Sequence, residues 1–191
     1  MADILLFHHA LGLTSGIAEF AETLQANGHT VTTPDLFEGR TFATIEDGVA
    51  HAREVGFGEV LARGERAASG LPQNLVYLGF SLGVLPAQKL AQTRAGARGA
   101  VFFYSCVPPE EFGGAWPPAL PLQVHGAEQD PIFMEEGDVD AARAIVDGAQ
   151  DAELFLYPAS AHYFADPTQP GFDSAAASLA MDRVLAFLER I

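Results

Sequence analysis

A chain of 191 residues with 49% hydrophobic and 18% charged residues has the balance of one compact domain with a sizeable core, not that of a disordered polymer. Its formal charge of −15, from 25 acidic and 10 basic residues with no Lys/Arg cluster, argues against nucleic acid or an anionic membrane as partner. A single cysteine excludes an internal disulfide, and no apolar run approaches the roughly 18 residues of a membrane helix; with no basic flank before the first apolar run, the expected location is the cytoplasm.

Ile4–His8 is a short, fully apolar run, the pattern of a buried parallel strand. His9-Ala10-Leu11-Gly12-Leu13 leaves its end, and a helix is expected from Thr14 or Ser15, with Ile17, Phe20, Ala21 and Leu24 inward and Gly28 closing it. A second strand, His29–Thr33, stops at Pro34-Asp35, and a loop follows over 35–43. Thr44, with Asp47 three residues on, resembles a capping box for a second helix, whose glycines at 48, 56, 58 and 64 leave it open to a break. Asn74–Leu78 is a third strand. The next helix is expected over about 82–95, with Pro86 tolerable in its first turn. Gly99–Tyr104 is a fourth strand, and 105–119, rich in Pro, Gly and Glu, reads as a loop over the strand ends. Leu120–His125 is a fifth strand; Asp138 is the expected cap of a helix carrying Val139, Ala142, Ile145 and Val146. Glu153–Tyr157 is a sixth strand, and a last helix spans about 174–190 with Leu179, Val184, Phe187 and Leu188 inward. Strands alternating with helices predict an α/β fold: a roughly six-stranded, mostly parallel sheet covered on both faces, a single domain over 1–191 with no cap domain. In such sheets ligands bind beyond the carboxyl ends of the strands.

One of those ends carries Val76-Tyr77-Leu78-Gly79-Phe80-Ser81-Leu82-Gly83, a strand running through Gly-x-Ser-x-Gly into a helix. That is the sequence form of a nucleophile elbow. A serine hydroxyl is a poor nucleophile alone and needs a base with an orienting acid. Asp130 follows the fifth strand and His162 the sixth, giving the chain order Ser, Asp, His of an α/β-hydrolase. Ser81 would attack an acyl carbonyl, His162 would carry its proton, and Asp130 would fix the imidazole tautomer. Asp130, standing before Pro131, also reads as a helix cap, and Glu128 competes for the acid role. The backbone N–H groups of Leu82 and Ala10 are the expected oxyanion donors, with Leu11 beside them and His9 pointing near the same site. Cys106 has no glycine-bracketed turn and reads as packing. No metal-ligand spacing and no phosphate loop is present, so neither metal nor cofactor is expected.

Taken together, His8-His9-Ala10-Leu11-Gly12-Leu13, Pro34-Asp35-Leu36-Phe37, Gly79-Phe80-Ser81-Leu82-Gly83, His125-Gly126 with Asp130-Pro131, and Tyr157 with His162-Tyr163-Phe164 resemble the dienelactone hydrolase family of α/β-hydrolases. The resemblance implies a cofactor-free Cys/Ser–Asp–His hydrolase of ester or lactone bonds. Three departures stand out. Ser81 replaces the cysteine of the family's type members, His9 replaces a glutamate, and Asp166 replaces an arginine that grips a substrate carboxylate. Arg40 is a counterpart of a second family arginine. Loss of one basic clamp argues for a neutral or less charged ester over a dianionic lactone. Trp116 and Phe112 are expected at an apolar rim or equally as loop-packing residues, His9 and Leu11 near substrate, and Arg40 near substrate or equally as a solvated loop residue. The expected partner is a small-molecule ester or lactone, with the chain a monomer or homodimer. A thioesterase or peptidase using the same three residues, and a non-catalytic relative serving as a binding module, are the competing readings.

Overall fold

The computed structural model describes residues 1–191. The six expected strands form β1 (Asp3–Phe7), β2 (Thr30–Thr32), β3 (Leu75–Phe80), β4 (Gly99–Phe103), β5 (Leu122–Ala127) and β6 (Ala152–Tyr157). All pair in parallel, in the order β2-β1-β3-β4-β5-β6. Every residue of β3, β4 and β5 is buried, which is why these runs show no polar alternation. The chain leaves β1 towards β2 on one side and resumes with β3 on the other. The order therefore reverses between β1 and β3, and the carboxyl ends of these two strands flank the crevice where such folds hold ligands.

Seven α-helices cover the sheet: α1 (Ser15–Ala26), α2 (Ile45–Val55), α3 (Phe57–Ser69), α4 (Val84–Thr93), α5 (Pro131–Glu135), α6 (Asp138–Gly148) and α7 (Ser174–Arg190). Alternate strand residues feed two cores. Leu5, Phe7, Tyr77 and Phe102 pack with Ala52 of α2, Val60 of α3, Leu90 of α4 and Ile145 of α6. Ile4, Leu6, Val76 and Val101 pack with Phe20 of α1 and Val184 and Phe187 of α7 on the other face. Each such large side chain taken from water contributes roughly 1.5–3 kcal/mol. No helix is long and apolar enough to cross a membrane.

Several local expectations are met by the chemistry that motivated them. Thr44 Oγ1 accepts the Asp47 N–H at 3.2 Å and caps α2. Pro86 sits in the first turn of α4, where its missing N–H removes no helical bond. The glycine-rich stretch does break, at Gly56, whose φ of 91° closes α2 and opens α3. Other details differ. β3 runs on to Phe80, because the strand must reach the elbow itself. Asp138 is not a cap: Gly137, at φ 104°, precedes α6, and the Asp138 carboxylate instead accepts the Ser105 hydroxyl and the Cys106 N–H. Leu179 is 46% exposed; Ala176, Ala180, Val184 and Phe187 form the inward stripe of α7, and Leu179 falls beside it. Trp116 is only 5% exposed, its ring edge-on to Phe102 at 5.9 Å and its Nε1–H bonded to the Leu120 carbonyl at 3.0 Å. It holds the 105–119 loop down and is not a rim residue.

Candidate active site

At the end of β3 the chain turns through Ser81-Leu82-Gly83 into α4, and Ser81 takes φ 49°, a left-handed conformation for a residue with a side chain. Such a conformation costs on the order of 1–3 kcal/mol and persists only where the surroundings impose it. The surroundings here are backbone. A Cβ on Gly83 would lie 2.4 Å from the Phe7 carbonyl oxygen, and one on Gly79 would lie 2.5 Å from that of Gly83. The two glycines let β1, β3 and α4 converge to a separation no other residue permits. This convergence sits at the point where the strand order reverses.

Ser81 Oγ lies 2.9 Å from His162 Nε2, and His162 Nδ1 lies 2.6 Å from Asp130 Oδ2. A carboxylate can only accept, so Nδ1 carries the imidazole proton and Nε2 presents its lone pair to the serine hydroxyl. Asp130 is 1% exposed and His162 8%, so water does not compete for these bonds. The other carboxylate oxygen of Asp130 accepts the Ile132 N–H at 3.0 Å, capping α5. The helix-cap and acid readings of Asp130 are thus two oxygens of one carboxylate, each with its own partner. Glu128, the competitor, is exposed.

Ala10 follows β1, 1% exposed, with the backbone of Gly48 packed so closely on its carbonyl that a Cβ there would come within 2.0 Å. Helix α2 therefore backs the loop that presents the Ala10 N–H. His9 is fully buried, and its Nε2–H is donated to Asp166 Oδ2 at 2.9 Å. Asp166 Oδ1 accepts the Thr168 N–H at 2.8 Å and the Thr168 hydroxyl at 2.6 Å. The carboxylate abuts Gly16 at the amino end of α1, where a Cβ would lie 1.9 Å from it. Burial raises the Asp166 carboxyl, but the hydrogen bonds from His9 and Thr168 outweigh it and hold the group below its ordinary range. His9 and Asp166 therefore bond each other inside the protein, with His9 Nδ1 buried and without a partner. Both are buried, so the expectation of His9 as a substrate contact finds no exposed surface on its ring.

The His9–Asp166 pair was not legible as a pair. Tyr163, which the sequence shows only as a member of the His162-Tyr163-Phe164 motif with no role of its own, has its ring 4.5 Å from that of His9 and 4.8 Å from that of His162. Leu11 lines a cavity of about 190 Å³ together with His162, Tyr163, Ala43, Ile45 and Pro170, with no charged side chain in its wall. Arg40 is exposed and outside that wall, in a segment whose Phe42 N–H bonds the Leu11 carbonyl at 3.0 Å. A larger cavity of about 450 Å³, which Trp116 borders with Pro108, Asp140 and Ile145, contains none of Ser81, Asp130 and His162. Cys106 is 1% exposed, and burial pushes its thiol well up, away from the reactive thiolate. No three His, Cys, Asp or Glu side chains converge to hold a metal ion.

The chain matches the dienelactone hydrolase family model over residues 2–191. No curated protein matches it. Among solved structures it resembles a dienelactone hydrolase-like promiscuous phosphotriesterase from metagenomic libraries, at 20% identity and a TM-score of 0.79, over 100% of this chain and 86% of that one. It also resembles a butyrate-bound esterase from the planctomycete Thermogutta terrifontis, at 16% identity and a TM-score of 0.63, over 99% of this chain and 83% of that one. A lipase in its open form aligns at 14% identity and a TM-score of 0.68, over 99% of this chain and 90% of that one. At such identities these structures speak to the fold.

Proposed function

The chain belongs to the dienelactone hydrolase family of ester-cleaving hydrolases, and we propose that within it the protein is a serine hydrolase acting on small, uncharged carboxylic esters or lactones through an acyl-enzyme. The observation that carries this reading is the unbroken relay Ser81 Oγ, His162 Nε2, His162 Nδ1, Asp130 Oδ2, at 2.9 Å and 2.6 Å, on a serine held in the elbow conformation. Ser81 gives its proton to His162 as Oγ bonds to the ester carbonyl carbon. The carbonyl oxygen becomes an oxyanion facing the N–H groups of Leu82 and Ala10. Collapse breaks the ester C–O bond, and His162 returns its proton to the departing alkoxide. Water then attacks the acyl-serine with His162 again as base, releasing the carboxylic acid and restoring Ser81. The imidazolium formed twice in this cycle is neutralised each time by the buried Asp130 carboxylate.

The uncharged substrate follows from the site's walls. The cavity beside His162 has no Lys or Arg side chain to offer a carboxylate, and the resemblance implies an arginine where Asp166 stands. A net charge of −15 repels anions further. The test is hydrolysis of p-nitrophenyl acetate by the native protein and by Ser81→Ala, alongside a p-nitrophenyl ester bearing a free carboxylate. The reading expects a rate that falls to background in Ser81→Ala and a marked preference for the neutral ester. A native rate equal to that of Ser81→Ala would overturn it.

A further inference from the structure

We propose that the Tyr163 hydroxyl is a third hydrogen-bond donor to the oxyanion, so that Tyr163 is a catalytic residue in addition to Ser81, His162 and Asp130. The inference rests on the serine hydrolase reading above. Tyr163 is 5% exposed, and its hydroxyl is buried with no hydrogen-bond partner in the protein. A buried phenol without a partner forfeits roughly 1–3 kcal/mol, and a protein core seldom tolerates that without a use for the group. The hydroxyl stands where an acceptor would be formed. It lies alongside Ser81 and the backbone N–H of Ala10, close enough to feel both and aligned with neither. The Ala10 N–H likewise has no acceptor. Neither donor thus has a well-aligned acceptor in the protein, and both lie beside the nucleophile, where the carbonyl oxygen of an ester attacked by Ser81 would carry its new charge. Burial holds the phenol far above its ordinary range, so it keeps its proton and serves as a donor at any pH the protein survives.

The ring is fixed for this task. It lies 4.5 Å from the His9 ring, tilted by 34°, and 5.7 Å from that of Tyr104 at 67°. His9 is itself anchored to Asp166 at 2.9 Å. This gives the buried His9–Asp166 pair a purpose that substrate contact does not: it is the wall against which Tyr163 is set. A donor held before the reaction begins needs no reorientation when charge appears, which is the condition under which oxyanion donors are effective.

The experiment compares the native protein, Tyr163→Phe and Ser81→Ala on p-nitrophenyl acetate, with 2,2,2-trifluoroacetophenone as an inhibitor whose adduct with Ser81 carries the oxyanion. Tyr163→Phe keeps the ring and its packing and removes only the hydroxyl. The expected result is a kcat lower by about 10²-fold, the lower end for loss of one oxyanion donor, with KM little changed and inhibition by the ketone weakened in the same proportion. A merely structural role predicts no split between KM and ketone affinity. A loss of less than tenfold, or a gain, overturns the assignment while leaving Ser81 in place if the native rate still exceeds that of Ser81→Ala. A native rate no greater than that of Ser81→Ala overturns both readings. Should Tyr163→Phe fail to fold, the native protein decides the matter through a crystal structure of the ketone adduct. The adduct oxygen within about 3.2 Å of the Tyr163 hydroxyl supports the assignment, and a separation beyond hydrogen-bond reach overturns it.

Discussion

Acidification from about pH 6.5 to pH 4.5 is expected to remove several kcal/mol of stability, through histidines that the fold buries neutral. His8 is fully buried at the end of β1; its Nδ1–H is donated to the His9 carbonyl at 2.8 Å and its Nε2 accepts the Leu36 N–H at 2.9 Å. That second bond exists only while Nε2 is unprotonated. Burial holds His8 down to about 4, against the pull of the His9 carbonyl. His125, fully buried in β5 and stacked on Phe103 at 4.6 Å, is held to about 3 by burial and then by the Arg183 charge. Both groups have folded values below the ordinary imidazole value of 6.5. Between these values the unfolded chain takes up protons that the folded chain refuses, so stability rises with pH and falls on acidification. Each group contributes a slope of about 1.4 kcal/mol per pH unit within its window, so the pair loses on the order of 5 kcal/mol over two units. That is comparable to the whole stability of a typical domain. His29, which accepts the Ala2 N–H at 3.3 Å and is also lowered by burial, adds in the same direction. Asp138, raised by burial, acts in the opposite sense. The assay is urea denaturation at half-unit steps of pH, on the native protein and on His125→Gln. The slope of free energy against pH should fall by about one proton's worth in the variant, whatever its stability at neutral pH. A native stability flat between pH 6.5 and 4.5 would refute the buried neutral state of these rings.

Two further substitutions probe the elbow and the relay. Gly83→Ala places a Cβ 2.4 Å from the Phe7 carbonyl oxygen and 2.6 Å from that of His8, both backbone, whereas a Cβ on Gly58 in α3 meets nothing within 4 Å. Gly83→Ala should therefore lose about 1–3 kcal/mol by overpacking, while Gly58→Ala gains about 0.5–1 kcal/mol from helix propensity; opposite shifts in thermal midpoint are the check. Asp130→Asn should lose about 10⁴-fold in kcat, because an amide no longer fixes the His162 tautomer. The same variant should unfold near the native midpoint, since Asn caps α5 as well as Asp does.

The parts of this protein legible in its sequence are those fixed by local chemistry. Apolar runs of five or six residues marked the strands, and the Gly79-x-Ser81-x-Gly83 spacing marked the elbow, because only glycine permits the approach of Phe7 and Gly83 backbone measured there. Chain order then pointed to Asp130 and His162, since each follows a strand whose carboxyl end lies on the same edge of a parallel sheet. What stayed hidden depends on contacts between distant segments. His9 and Asp166 are 157 residues apart, and nothing local to either announces the hydrogen bond that withdraws both from solvent. Trp116 lies in a stretch without period, so its burial against Phe102 had no sequence signature. Leu179 is apolar but faces water, because Ala176 and Ala180 already occupy the narrow stripe that α7 turns to the sheet. Tyr163 adjoins His162 in sequence, yet its placement beside Ala10 follows only from the fold.

The central claim is that Ser81 is an activated nucleophile served by a formed oxyanion site. Intact mass after treatment with a fluorophosphonate tests it most directly, because the probe reacts only where a serine is deprotonated as it attacks and the developing charge is held. The account predicts a single adduct on the native protein that is absent from folded Ser81→Ala. A folded native protein that takes up no adduct, or an adduct that persists in Ser81→Ala, would contradict it.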